Sequence, residues 1–434
     1  MTRSTLLSWL MLALLLLVGC GEQRKEQTVK VGILHSATGT MANSERPVID
    51  AVQLAIDEIN ANNYLPGIKL EPVIRDGQSK ERVFAQHAGD LLDEEDVAVI
   101  FGGWTSASRK AMIPVLQAEE GLLFYPVQYE GAESSPNVVY TGAAPNQQII
   151  PAVYWAMKDK GAKSFYLIGS DYVFPRTANE VIKDQLKALG GEVVGERYLI
   201  LGAEEDEAVF AEQLKEIAQE IVDTKPDFIL NTINGDANGP FFRALREAGV
   251  TPQTTPAISF SIDENLLKSM GMEKQLLVGD YAAWNYFQSV PTRENREFVR
   301  KFQQAYGNDS VTSDPIDAAY SGVYLWAEAV RNASDNKDWI DIAATRPEVV
   351  REHIGNRSFH APGGMVFIDP QNQHLYKTAR IGVIQSDGQF GLEWESDAPV
   401  RPAPYPMFRP MEAWDEYLAM LKQGWNGEWS APKQ

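Results

Sequence analysis

The chain has 434 residues, 44% of them apolar, and 59 acidic against 39 basic side chains give a formal net charge of −20 at pH 7. An acidic excess of that size excludes a phosphate-gripping surface for nucleic acid and direct attraction to anionic lipid, and it is read as a source of solubility. The single cysteine, Cys20, excludes an internal disulfide framework.

At the amino terminus Arg3 precedes an uncharged apolar run over residues 6–18 that ends in Leu17-Val18-Gly19-Cys20. The run is too short to span a bilayer comfortably and small residues stand at the processing position, so residues 1–20 are read as a cleaved secretory signal with a lipobox. Cys20 then becomes the lipidated first residue of an extracytoplasmic protein, anchored through its lipid. The polar stretch 21–27 is its tether. About 400 mature residues exceed what one hydrophobic core usually organises and predict two domains.

From residue 28 onward strands and helices alternate. The run 29–34 predicts a strand, and Val48, Val52, Ala55, Ile56 and Ile59 keep helical spacing behind it. Strands near 70–75, 97–101 and 122–125 alternate with helices near 81–93 and 107–120, the pattern of a parallel α/β sheet. A second set follows, with strands near 165–168, 192–198, 228–232 and 257–260 and helices near 175–189, 208–222 and 239–247. Two similar lobes in tandem are expected. A helix at 318–330 and strands at 364–368 and 380–384 are expected to return to both lobes, and the Pro-rich stretch 398–410 to run extended over the surface.

Open parallel sheets bind ligands beyond the carboxyl ends of their strands, where helix amino termini offer unpaired N–H groups. The run Gly102-Gly103-Trp104-Thr105-Ser106-Ala107-Ser108 follows one such strand, with glycines for a tight turn and hydroxyls able to cap the next helix. Tyr125-Pro126-Val127-Gln128-Tyr129-Glu130-Gly131 puts two aromatics, an amide and a carboxylate after the next strand. In the second half, 169–176 and 231–236 occupy equivalent places. None of the five histidines has zinc-ligand spacing, and no Gly-x-Ser-x-Gly elbow or phosphate loop appears. Asp314 and Asp317 lack EF-hand spacing and are read as a helix cap and a solvated face. No metal, cofactor or catalytic residue is expected.

The segments Gly102-Gly103-Trp104-Thr105-Ser106, Ser108-Arg109-Lys110, 122–131, 140–147 and 169–176 resemble the urea and short-chain-amide branch of type I periplasmic binding proteins. Phe124-Tyr125-Pro126-Val127-Gln128-Tyr129-Glu130-Gly131 together with Ala144-Pro145-Asn146-Gln147-Gln148 carries the resemblance to that branch, and Trp104-Thr105-Ser106 leans toward its urea importers. Amide sensors of the branch have a tyrosine where Trp104 stands. The resemblance implies two Rossmann-like lobes with parallel sheets joined by a three-crossover hinge, lobe 1 being 28–146 with roughly 282–360 and lobe 2 being 147–281 with roughly 361–434. It also implies an ABC permease and ATPase subunits as partners. Carried over residue by residue, the ligand cleft falls on Trp104, Thr105, Ser106, Tyr125, Val127, Gln128 and Glu130 in lobe 1 and on Tyr172, Thr232 and Asp263 in lobe 2. Phe174 stands where amide-binding relatives can present a tyrosine.

The implied solute is urea, flat and neutral, whose four N–H donors and one carbonyl must be satisfied once water is excluded. Carboxylate, hydroxyl and backbone oxygens would accept from the N–H groups; the backbone N–H of Ser106 or Val127, or the Ser106 hydroxyl, would donate to the carbonyl. Trp104 and Tyr172 would sandwich the faces. The alternatives are a receptor for acetamide-like amides serving transport or signalling, and an amide hydrolase, for which a nucleophile partner is missing.

Overall fold

A computed structural model describes residues 25–201 and 207–432; the signal segment and Cys20 lie outside the described residues. Among the described residues no helix is long and apolar enough to cross a membrane.

The first lobe is built on a five-stranded, all-parallel sheet in the order β2-β1-β3-β4-β5. The strands are β1 (Gln27–His35), β2 (Ile68–Asp76), β3 (Ile100–Gly102), β4 (Leu123–Tyr125) and β5 (Val138–Tyr140). β1 and β2 pair over nine residues, from Gln27 opposite Ile68 to His35 opposite Asp76. The second lobe repeats the plan with β6 (Ser164–Ser170), β7 (Glu192–Leu199), β8 (Phe228–Thr232), β9 (Ala257–Ser259) and β10 (Tyr281–Trp284), in the parallel order β7-β6-β8-β9-β10. Three short strands, β11 (Ser358–Ala361), β12 (Gly364–Ile368) and β13 (Leu375–Tyr376), form a separate antiparallel sheet. β14 (Arg380–Ile384) and β15 (Phe390–Glu395) extend the second sheet antiparallel to β10. In each lobe the strand order reverses beside the first strand, and the crevice at such a switch point is where open α/β sheets take ligands.

The helix Asp314–Ala333 shows why the lobes interleave. Its apolar residues belong with the first sheet, and Trp326 meets Phe101 of β3 edge to face at 6.3 Å between ring centroids. Leu375 of β13 and Val366 and Ile368 of β12 join the same core. The return to the first lobe therefore follows β10 rather than preceding it at 282, and the last crossing falls after β13, at 377–379, rather than at 361. The reason is local: 281–284 is an apolar strand that completes the second sheet, and the three-stranded sheet closes the bottom of the first core.

Three crossovers join the lobes, and the amide of Asn285 ties them together. From the second crossover its Nδ2 donates to Gln147 O of the first at 2.9 Å and to Thr378 O of the third at 3.0 Å. Asp314 accepts from the Asn285 backbone N–H at 2.9 Å and from Lys377 Nζ at 3.3 Å. Asp314 and Asp317 are thus buried in the hinge, not on a solvated face as the sequence suggests. A buried carboxylate is worth its desolvation only when it organises something, here the strands that cross between lobes.

Burial pushes the Asp317 carboxyl up to about 7, with Lys377 opposing that rise. A folded-state value above the unfolded one means that the folded protein holds a proton the unfolded chain has released. The associated stability is complete below about pH 4 and is lost as pH rises through about 7. Unfolding by denaturant at pH 5.0 and 7.5 is expected to show higher stability at the lower pH, and Asp317→Asn to reduce that difference. An unchanged difference in the variant would assign the effect to another group.

Candidate ligand-binding cleft

The floor of the first-lobe site is made by the turn after β3. A Cβ on Gly102 would sit 2.1 Å from Leu34 O, and Gly103 has φ +82, so neither position admits another residue without strain. Thr105 caps the helix Ser106–Ala118 by accepting from Ser108 N at 3.1 Å, the role sequence reasoning gave to Ser106 or Ser108. Its oxygen thereby serves the helix. Ser106 is at the first helical position, where the backbone N–H has no partner within the helix.

Below this turn lies a buried cluster of four charges. Ser106, Arg109 and Lys110 share one helical face through their i, i+3, i+4 spacing. The Arg109 guanidinium is fully buried between the rings of Tyr125 and Tyr129, 4.7 Å from each centroid. It donates to Ser106 Oγ at 3.0 Å, to Glu130 at 3.1 Å and to Glu133 at 2.7 Å. Lys110 Nζ donates to Glu133 at 2.7 Å and lies 3.5 Å from Glu130. The Ser106 hydroxyl donates its proton to Glu130. Burial alone would push the Glu133 carboxyl up, but Arg109 and Lys110 outweigh it and hold it well below the usual carboxylate range. The two cations and two carboxylates balance.

Tyr125 OH donates to Trp104 O at 2.5 Å, which fixes the Trp104 backbone above the cluster. Tyr140 OH donates to Glu133 at 2.8 Å, and the Tyr140 ring stacks on His374 with centroids 4.1 Å apart. Burial lowers the His374 ring to about 4, so it is neutral, and Tyr129 OH meets its Nε2 at 2.6 Å. Arg109, Lys110, Glu133, Tyr140 and His374 were not among the residues expected from sequence to form the site.

Gln128 reaches between lobes. Its Nε2 donates to Phe260 O of the second lobe at 2.8 Å, while its Oε1 is buried without a hydrogen-bond partner among the described residues. Val127 is buried beside it, its carbonyl so close to Gly142 that a Cβ there would lie 2.0 Å away. From the second lobe comes Tyr172, 2% exposed, in extended conformation just before the helix Val173–Leu189. Burial pushes its hydroxyl well up, and Tyr125 and Glu130 across the cleft add to the shift. Phe174 lies beside it at 6.3 Å. With Trp104 at 7%, Gln128 at 4% and Tyr172 at 2% exposure, the lobes are closed over these residues.

The other two second-lobe residues have different work. Thr232 Oγ1 lies 3.1 Å from Ile168 O and 3.3 Å from Asn179 Oδ1, joining β8 to β6 and a helix of its own lobe. Asp263 caps the helix Glu264–Ser269 by accepting from Leu266 N at 2.9 Å. Both are buried, and each makes a structural hydrogen bond of its own. Strand-end position, the signal that selected them, marks structural caps as readily as ligand contacts. Among the described residues no group of three or more His, Cys, Asp or Glu is arranged to hold a metal.

A family model for the periplasmic binding protein domain matches residues 29–411. A solute binding protein of an ABC transporter from Rhodopseudomonas palustris BisB5, solved with 3,4-dihydroxybenzoic acid, superposes with a TM-score of 0.72 at 23% identity, over 86% of this chain and 99% of that one. A leucine binding protein from Thermotoga maritima MSB8 gives 0.70 at 20% identity, over 85% and 98%. A curated protein named limonene hydroxylase, from Geobacillus stearothermophilus, is 32% identical over 133 residues, 31% of this chain; the chain spans only 23% of that protein's length. The match over residues 29–411, with two parallel-sheet lobes of the same strand order closed on a shared cleft, means that the chain belongs to the periplasmic binding protein domain family and has its type I fold.

Proposed function

We propose that this protein is an extracytoplasmic, lipid-anchored solute-binding protein that captures urea and delivers it to an ABC permease and its ATPase subunits. The observation that carries the reading is the balanced charge cluster. Arg109 and Lys110 are both committed to Glu130 and Glu133, so the first-lobe wall offers no spare charge to a carboxylate or an ammonium. A small neutral solute suits such a wall, because an uncompensated charge brought into it would keep its desolvation cost. The unpaired Gln128 Oε1 supports a solute rich in N–H donors.

In this reading Trp104 and Tyr172 sandwich the flat solute, Gln128 Oε1 and the Tyr125 oxygen accept from its N–H groups, and the backbone N–H groups of Ser106 and Val127 donate to its carbonyl. The Ser106 hydroxyl acts indirectly, since its proton is committed to Glu130. Binding is favoured over hydrolysis because the Ser106–Glu130 pair is part of the charge cluster, where Ser106 accepts from Arg109 and Glu130 is held by Arg109 and Lys110.

Isothermal titration of the protein beginning at residue 21 with urea, acetamide, formamide, leucine and 4-hydroxybenzoate tests the reading. One-site binding is expected, tightest for urea and weaker for acetamide. The ceiling of about 1.5 kcal/mol per heavy atom keeps a four-atom solute in the micromolar range or weaker. Tighter binding of acetamide would move the assignment to the short-chain amides, and tighter binding of leucine or 4-hydroxybenzoate would overturn it.

A further inference from the structure

Beyond the helix Met411–Gly424 the chain packs against both lobes beside Tyr172. Ser430 forms an antiparallel bridge with Tyr172, Val173 N donates to Trp429 O at 3.0 Å, and Ala431 N donates to Asp171 O at 3.0 Å. These bonds fix the backbone on both sides of Tyr172 to residues 429–431. The same short segment also grips the first lobe. Arg82, on the helix Glu81–Gly89, pairs with Glu428, its Nε at 3.1 Å. Lys110 Nζ stands 5.0 Å from the centroid of the Trp429 ring, and Lys422 of the second lobe stands 4.8 Å from it. Lys110 is the same side chain that completes the charge cluster beneath Ser106.

We infer that residues 428–431 are positioning residues of the cleft, holding Tyr172 in place as one wall of the site and latching the second lobe to the first. The role of Tyr172 as a solute contact rests on the function proposed above; the latch rests on the contacts alone. The crossovers, tied by Asn285, form the hinge, and the segment is a separate link between the lobes, beside Tyr172. Opening the cleft must therefore separate Trp429 from Lys110 and Glu428 from Arg82. The Arg82 pair is exposed and contributes little, since surface ion pairs are weak. Of the two cations at the half-buried Trp429 ring, Lys110 is buried and Lys422 exposed, and the contact from the buried one is the stronger kind. A latch of this sort acts on release more than on capture, because encounter takes place with the cleft open.

The test uses Trp429→Ala, Trp429→Phe, the pair Arg82→Ala with Glu428→Ala, and a chain ended after Gly427. Two readouts are taken: urea dissociation by stopped-flow fluorescence, and interlobe distance from spin labels on Asp57→Cys and Glu192→Cys in the otherwise cysteine-free protein starting at residue 21. Trp429→Ala and the shortened chain are expected to release urea about tenfold faster, with association changed less than about twofold. Both are also expected to have a smaller closed population, with Trp429→Phe restoring most of it and the Arg82 and Glu428 pair showing a lesser effect. Unchanged dissociation and an unchanged closed population in both Trp429→Ala and the shortened chain overturn the latch. Should the unmodified protein bind no urea, the solute assignment fails, and the distance measurement alone decides the latch.

Discussion

Replacing Arg109 with methionine is expected to lower the stability of the protein by about 3–5 kcal/mol, the range for breaking one side of a buried ion cluster. The guanidinium is fully buried and touches Ser106, Glu130, Glu133 and two aromatic rings, so its removal leaves two buried carboxylates with Lys110 as the only remaining cation of the cluster. Methionine fills the space between the rings and isolates the loss of charge from the loss of volume. Arg109→Lys keeps the charge but not the planar fork, and is expected to fall between the two. Denaturant unfolding at neutral pH measures the effect, and a loss below about 1 kcal/mol would show that the cluster contributes little net stability. The acid limb gives an independent check. Glu133, held below its ordinary range, contributes stability that is present above about pH 4.5 and lost as pH falls below it. Without Arg109 that contribution shrinks, and the variant is expected to lose proportionately less stability on going to pH 3.

Trp104→Ala is expected to weaken urea binding about thirtyfold to hundredfold, the effect of removing an aromatic anchor from a desolvated site. The ring is 7% exposed, and its backbone carbonyl is pinned by Tyr125, so the side chain has little freedom to be replaced by a neighbour. Titration calorimetry reports the affinity, and a circular dichroism melt of the same sample separates loss of the site from loss of the fold. Trp104→Tyr retains a ring of smaller area with a hydroxyl. It is expected to bind, with the preference between urea and acetamide shifted toward acetamide. A Trp104→Ala protein that melts cooperatively and still binds urea as tightly as the parent would remove Trp104 from the cleft wall.

Most of the two-lobed architecture was legible because its strands fall in apolar runs followed by helices with a clear apolar face. The predicted strand at 228–232 coincides with β8, and those at 364–368 and 380–384 coincide with β12 and β14. What escaped was short or uniform. β5 is three residues between Asn137 and Thr141, and β10 is four residues whose central pair is Ala282 and Ala283, too brief to show a period. The helix Ile149–Lys158 carries Pro151 in its first turn, a position helices tolerate but which reads as a break when met in sequence. The crossover positions were misplaced for a related reason: lobe membership is a property of which core an element joins, and β12 joins the first core from a distance of more than two hundred residues along the chain.

The cleft was legible by position and less so by chemistry. Trp104, Ser106, Tyr125, Gln128, Glu130 and Tyr172 are all buried where the lobes meet, and their contact with a solute belongs to the function proposed above. The ion cluster did not announce itself, because Arg109 and Glu130 are 21 residues apart and only folding brings β4's loop over the helix. Its trace was present in the spacing of Ser106, Arg109 and Lys110 and in the pair Glu130 and Glu133. Thr232 and Asp263 show that polar residues after strands can also serve the packing of their own lobe.

The helix Asp314–Ala333 also constrains how the chain comes to be folded. The strands of the first sheet are all made by Tyr140, yet the buried helix that belongs to their core follows the entire parallel part of the second lobe. A chain emerging in order, from ribosome or export channel, must carry the first sheet with that surface uncovered while residues 141–313 appear. The second lobe, conversely, acquires its five parallel strands in one stretch. Assembly of the whole is therefore expected to begin with the later lobe and to end with the earlier one, the reverse of the order of synthesis.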